Sequence, residues 1–138
     1  MIDFSKFRSS LLRLEEQYEH HLTLSASDPH LVREGIAESV IQRFETCYDC
    51  LWKVLKRYLR EELGVADLPN SPKPIFRIAN ESRLLPSHIE RWLLYADART
   101  NTSHDYDGDK AKLCLNLVPD FITDSISLYQ KMSGNSWD

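Results

Sequence analysis

A chain of 138 residues with a net charge of −4 at pH 7, 42% hydrophobic and 28% charged, suits one hydrophobic core in a single domain over 1–138. The acidic balance excludes a general nucleic-acid coat, whose affinity comes from neutralising phosphates. No apolar run approaches the roughly 18 residues of a membrane span. The segment Met1-Ile2-Asp3-Phe4-Ser5 lacks the basic and apolar stretches of a signal peptide, and three cysteines, an odd number, suit a reducing compartment, so a cytoplasmic location with no membrane partner is expected.

Phe4, Phe7, Leu11, Leu14, Tyr18 and Leu22 recur at three- and four-residue steps and predict an amphipathic helix ending near Ser25. Ser27-Asp28-Pro29 supplies a cap and an N-terminal proline for a second helix. Its apolar face is Val32, Ile36, Val40, Phe44, Leu51, Leu55 and Tyr58, and Leu63-Gly64 stops it. Gly35 weakens that helix near its start and is read as a mark of close helix crossing. Leu68-Pro69-Asn70-Ser71-Pro72 is a loop, with Ser71 capping a third helix to about Leu84. Pro86-Ser87 opens a fourth, with Ile89, Trp92, Leu93 and Ala96 inward. A break over 105–109 precedes a last helix over about 110–132, buried on Leu113, Leu117, Phe121, Ile122, Ser125 and Leu128 and kinked at Pro119. The tail, 133–138, is expected to fray. With no period-two run and no Asn-Gly hairpin, the expected fold is an all-α, up-and-down bundle of about five helices.

Chemistry concentrates in Arg99-Thr100-Asn101-Thr102-Ser103-His104-Asp105-Tyr106. Cleaving RNA by internal transesterification without a metal needs a group that titrates near neutral pH to move the proton of the 2′-hydroxyl or of the leaving 5′-oxygen. It also needs a permanent cation against the charge that builds on phosphorus. His104 and Arg99 are of those two types. Five positions apart they are turned some 140° from each other on a regular helix, so either the helix breaks after Arg99 or the site is shared between chains. Thr100, Asn101, Thr102 and Ser103 are poor helix formers that favour a break, and Asn101, Thr102 and Ser103 are candidate substrate contacts. Lys53, Lys56, Arg57 and Arg60, and then Lys73, Arg77, Arg83, Arg91 and Arg99, point to a restricted basic cleft in an acidic chain. Trp52 and Trp92 fall at core-phase positions. Cys47-Tyr48-Asp49-Cys50 sits in mid-helix without a second pair, and His20, His21, His30 and His88 lack companions at ligand spacing, so no metal site is assigned.

Beyond the motif, Ile41-Gln42-Arg43-Phe44-Glu45 with Trp52-Lys53, Leu55-Lys56 and Tyr58-Leu59 resembles the second helix of the nucleotidyltransferase substrate-binding branch of the HEPN superfamily. Ser71-Pro72-Lys73 followed by Trp92 resembles its middle section, and the resemblance spans about Phe4 to Met132. It implies a HEPN-like helical homodimer with the Arg-x4-His-x-Tyr element at the dimer interface, Arg99 and His104 catalytic, and RNA (tRNA is a candidate) rather than DNA as substrate. It further implies a toxin–antitoxin pairing with a minimal nucleotidyltransferase that silences the RNase by AMPylation of Tyr106. ATP and Mg then belong to that partner, and no cofactor is expected here, because this chain has neither a phosphate-cradling Gly-rich loop nor a polymerase-like carboxylate pair. One position differs: Thr100 stands where family members usually carry Asn. The alternatives are a non-catalytic subunit that binds nucleotide or substrate for the transferase, and a helical adaptor with neither activity.

Overall fold

The computed structural model describes residues 1–102 and 108–138, and among them every regular element is a helix. In chain order these are α1 (Ser5–Thr23), α2 (His30–Glu61), α3 (Pro72–Glu81), α4 (Ile89–Thr102) and α5 (Gly108–Ser133). The Arg43 guanidinium of α2 donates to the Arg13 carbonyl of α1 at 2.8 Å, and Asp3 shares a cavity wall with Arg57, so α1 and α2 run antiparallel as a hairpin. Pro72 begins α3, where its missing N–H costs nothing. Arg83, with φ +60°, ends that helix earlier than the expected Leu84, and the Leu84 amide donates back to the Ala79 carbonyl at 3.0 Å.

A ring of six aromatic side chains ties four helices together. Phe44 and Tyr48 of α2, Phe76 of α3, Trp92 and Tyr95 of α4 and Phe121 of α5 follow one another with centroid separations from 4.8 to 6.1 Å and close on Phe44. All six are essentially inaccessible to solvent. Such edge and tilted pairs add about 0.5–1.5 kcal/mol each beyond the area they bury, which fixes α4 between α2 and α5.

Several sequence expectations change. Leu113 is 62% exposed, and Cys114 and Val118 are buried in place of the predicted Leu113 and Leu117. The adjacent pairs Leu113-Cys114 and Leu117-Val118 offer two apolar faces of equal period, and continuity with Phe121, Ser125 and Leu128 selects the second. Val32 is exposed, and the buried face of α2 begins only at Val40. A Cβ on Gly35 would meet nothing within 4 Å, so the expected helix crossing there is absent. The tail is pinned rather than frayed at Trp137, which donates from its indole nitrogen to Glu15 at 3.2 Å, meets Tyr129 edge-on and lies under Arg8.

Candidate functional site

α4 continues through Arg99 to Thr102, against the expected break, because its β-hydroxyls have partners inside the helix and across it. Thr100 Oγ1 donates to the Ala96 carbonyl at 3.2 Å. Thr102 Oγ1 lies 3.0 Å from the Ala98 carbonyl and 2.9 Å from Glu45 Oε2; it has one proton to give, and the carboxylate is the stronger acceptor. Tertiary contact thus overrides the weak helix propensity of the run.

Arg99 and Thr102, three residues apart, face α2, where Glu45 and Asp49, four apart, present their carboxylates. Arg99 donates from Nε and Nη2 to the two oxygens of Asp49 at 3.3 and 3.1 Å, and from Nη1 to Glu45 Oε2 at 3.3 Å. The planar fork matches the Asp49 carboxylate bidentately, which fixes the guanidinium in direction as well as place. Glu45 is buried, and burial together with this carboxylate pushes the Cys114 thiol up to about 12. The Tyr48 phenol is likewise raised above the ordinary tyrosine range, by burial first and by the neighbouring Asp49 second.

The expected site residues are therefore distributed unevenly. Arg99 is partly buried at the α2–α4 contact, and Asn101 is exposed on the last turn of α4. Thr102 is fully buried with its hydroxyl on Glu45, so in this chain it buttresses the Arg99 clamp instead of facing a substrate. Ser103, His104 and Tyr106 lie outside the described residues. Sequence reasoning gave no role to Glu45 or Asp49, although an acidic pair at i, i+4 among the core positions Phe44, Tyr48 and Leu51 was a usable signal.

Three of the five cations counted over 71–104 toward the expected basic cleft are neutralised by carboxylates from other elements. Lys73 pairs with Asp97 at 2.6 Å, Arg91 with Asp124 at 3.1 Å and Asp120 at 3.8 Å, and Arg99 with Glu45 and Asp49. A count along the chain could not see the carboxylates that α2 and α5 bring across. Among the described residues no three His, Cys, Asp or Glu side chains group as a metal site would require. Cys47 is buried, with its thiol raised by burial.

A second polar node locks the other end of α4. Buried Asp124 of α5 accepts through one oxygen from Tyr95 Oη at 2.6 Å, Ser87 Oγ at 2.9 Å and Arg91 Nε at 3.1 Å, while Trp92 Nε1 donates to Ser87 Oγ at 2.9 Å. Burial, and then the hydrogen bond to Asp124, raises the Tyr95 phenol well above its ordinary value.

Comparison with known proteins matches this arrangement to one family. Residues 2–134 fit the family described as nucleotidyltransferase substrate binding protein like. The chain is 30% identical over 106 residues to a Haemophilus influenzae protein named probable ribonuclease HepT, covering 75% of this chain and 72% of that protein. The structure of HI0074 from Haemophilus influenzae, described as the fold of a substrate binding domain of a nucleotidyltransferase, superposes with a TM-score of 0.84 at 25% identity over 95% of this chain and 99% of that one. A Thermus thermophilus protein superposes with a TM-score of 0.75 at 29% identity over 91% of this chain and 98% of that one. The matched length, the five-helix fold and the identity to the HepT protein agree, and the chain belongs to the nucleotidyltransferase substrate-binding protein-like family, the branch of the HEPN superfamily that its sequence resembles.

Proposed function

We propose that the chain is a HEPN toxin-type, metal-independent endoribonuclease paired with a minimal nucleotidyltransferase. The observation that carries this reading is the Arg99 clamp: a guanidinium held by Glu45 and Asp49 at the end of α4, five residues before His104, in a chain related to a probable ribonuclease. His104 takes the proton of the 2′-hydroxyl, the 2′-oxygen forms a bond to phosphorus as the bond from phosphorus to the 5′-oxygen breaks, and the leaving 5′-oxygen takes the proton from the imidazolium. Arg99 carries the charge on the pentacoordinate phosphorus. Two such motifs line one cleft in a homodimer. The partner silences the enzyme by AMPylation: the Tyr106 phenolate attacks the α-phosphate of ATP, an O–P bond forms and pyrophosphate leaves, which puts a phosphodiester charge where RNA must enter.

The test is cleavage of a defined RNA in EDTA, with 2′,3′-cyclic phosphate or 3′-phosphate ends scored. Arg99→Ala and His104→Ala should each slow it by about a hundredfold or more. Full activity in both variants would refute the assignment. Incubation with the partner, ATP and Mg should add AMP at Tyr106 and none in Tyr106→Phe. A second reading, a non-catalytic subunit that binds substrate or nucleotide for the transferase, is favoured by the two carboxylates that oppose the Arg99 charge. Absence of cleavage together with nucleotide binding would select it.

A further inference from the structure

Along the face of the α1–α2 hairpin runs a groove that the Arg/His motif does not account for. Its larger part is a cavity of ≈ 790 Å³ whose walls include Lys6, Arg13 and Arg43 with the hydroxyls of Ser5, Ser9 and Thr46, and no carboxylate. It continues through Lys6, Thr46 and Cys50 into a second cavity of ≈ 400 Å³, where Lys53 and Arg57 join the wall. The carboxylates on its walls are Asp3 and Asp49, and both are engaged: Asp3 accepts the Ser5 amide at 2.9 Å, and Asp49 holds Arg99, while Arg57 at the far end also donates to Glu61 at 3.0 Å. In a chain of net charge −4, five cations gathered on one groove leave the rest of the surface more acidic still.

The spacing has a local cause. Lys6, Ser9 and Arg13 fall on one face of α1, and Arg43, Thr46, Lys53 and Arg57 on the facing stripe of α2. From Arg43 to Arg57 the stripe extends about 21 Å at 1.5 Å per residue. That is a linear track of cations and hydroxyls, not a closed pocket for one small anion. It passes Asp49, whose carboxylate grips Arg99, so a chain laid along it runs beside the residue that holds the candidate catalytic arginine.

We propose that this groove is the phosphate track for a single strand of RNA, with Arg13 and Arg43 holding the backbone at one end and Lys53 and Arg57 at the other. The proposal rests on the RNase reading above and names the route by which its substrate reaches the site. Cations and small hydroxyls contact phosphate and sugar, so the track is sequence-tolerant.

The test uses fluorescence anisotropy with a fluorescein-labelled, 2′-O-methylated RNA 12-mer, whose blocked 2′-oxygens prevent cleavage, titrated across a salt series. Arg13→Gln/Arg43→Gln should weaken binding about tenfold at low salt and flatten the log K against log salt slope by about 1.4, since a single strand contributes roughly 0.7 per neutralised phosphate. Lys6→Gln/Lys53→Gln should flatten it similarly, which covers any refolding caused by losing the Arg43 bond to α1. Arg77→Gln/Arg83→Gln, the same charge change on α3 and the turn after it, should leave the slope unchanged. Groove variants that bind like the wild type, or a control pair that loses as much, would overturn the proposal. So would inorganic phosphate or AMP competing at the concentration of the strand itself, which would make the groove a mononucleotide pocket. Cleavage of an all-ribose strand is scored separately. Lost binding with intact cleavage ends the track alone, and intact binding without wild-type cleavage ends the RNase reading alone.

Discussion

Removing the two carboxylates of the Arg99 clamp one at a time should have unequal effects. Side-chain exposure is 28% for Arg99, 10% for Glu45 and 39% for Asp49. The Asp49 contact is bidentate but open to water, where ion pairs contribute roughly 0–1 kcal/mol. The Glu45 contact is enclosed and shared with Thr102, and a hydrogen bond to a charged group there is worth about 1.5–3 kcal/mol. Glu45→Gln should therefore cost about 2 kcal/mol, and Asp49→Asn less than about 1. Arg99→Ala should cost more than either, about 3 kcal/mol, because it takes the guanidinium away from a buried carboxylate. The assay is urea unfolding of the three single variants and of the Arg99→Ala/Glu45→Gln double variant. The cycle should return a coupling of at least about 1 kcal/mol for that pair. Equal costs for Glu45→Gln and Asp49→Asn, or a coupling near zero, would refute the claim that Glu45 is the principal anchor. In the cleavage assay the same logic gives about a tenfold loss for Glu45→Gln, from a displaced guanidinium, and a smaller loss for Asp49→Asn.

Asp124→Asn should destabilise the chain by about 2–3 kcal/mol, because three donors converge on one buried oxygen; a cost below about 0.5 in urea unfolding would show that the node is not structural. Gly35→Ala should stabilise by about 0.5–1 kcal/mol, since the site is helical with open space for the methyl group, and a lower thermal midpoint would contradict that. Stability should fall in alkali. The Cys47 and Cys114 thiols and the Tyr48 and Tyr95 phenols are all raised by burial, so the folded chain keeps protons that the unfolded chain releases above the thiol value of 9.0. Stability is full below that pH and drops above it, by up to about 2.7 kcal/mol per pH unit from the two thiols. A urea midpoint that stays flat from pH 8 to 10 would exclude this, and Cys114→Ala should make the fall shallower.

The helices were legible in the sequence where one apolar face dominated. Phe7, Leu11 and Leu14 in α1, or Phe44, Leu51 and Leu55 in α2, have no competing phase and are buried as their spacing requires. In α5 two faces of the same period competed, and only packing against the aromatic ring decided between Leu113 and Cys114. Tyr95, buried in that ring, was missed because a tyrosine between Leu94 and Ala96 gives no phase by itself, and its hydroxyl partner lies 29 residues away. The site was half legible. Arg99 is recognisable from its spacing to His104, but its clamp spans 50 and 54 residues and needs the fold to be seen.

That separation explains why the poor helix formers at 100–102 do not end α4. Each end of the helix is held by a buried carboxylate from another element: Asp124 of α5 gathers Ser87, Arg91 and Tyr95, and Glu45 of α2 gathers Arg99 and Thr102. Between them Trp92 and Tyr95 fill the aromatic ring. A helix held at two polar nodes and packed along its middle has little freedom to rotate about its axis, since rotation would break charge-assisted bonds at both ends together. Local propensity at residues 100–102 costs only tenths of a kcal/mol per residue, well below what those nodes supply. The strength of the fold therefore falls on the direction of one guanidinium, that of Arg99.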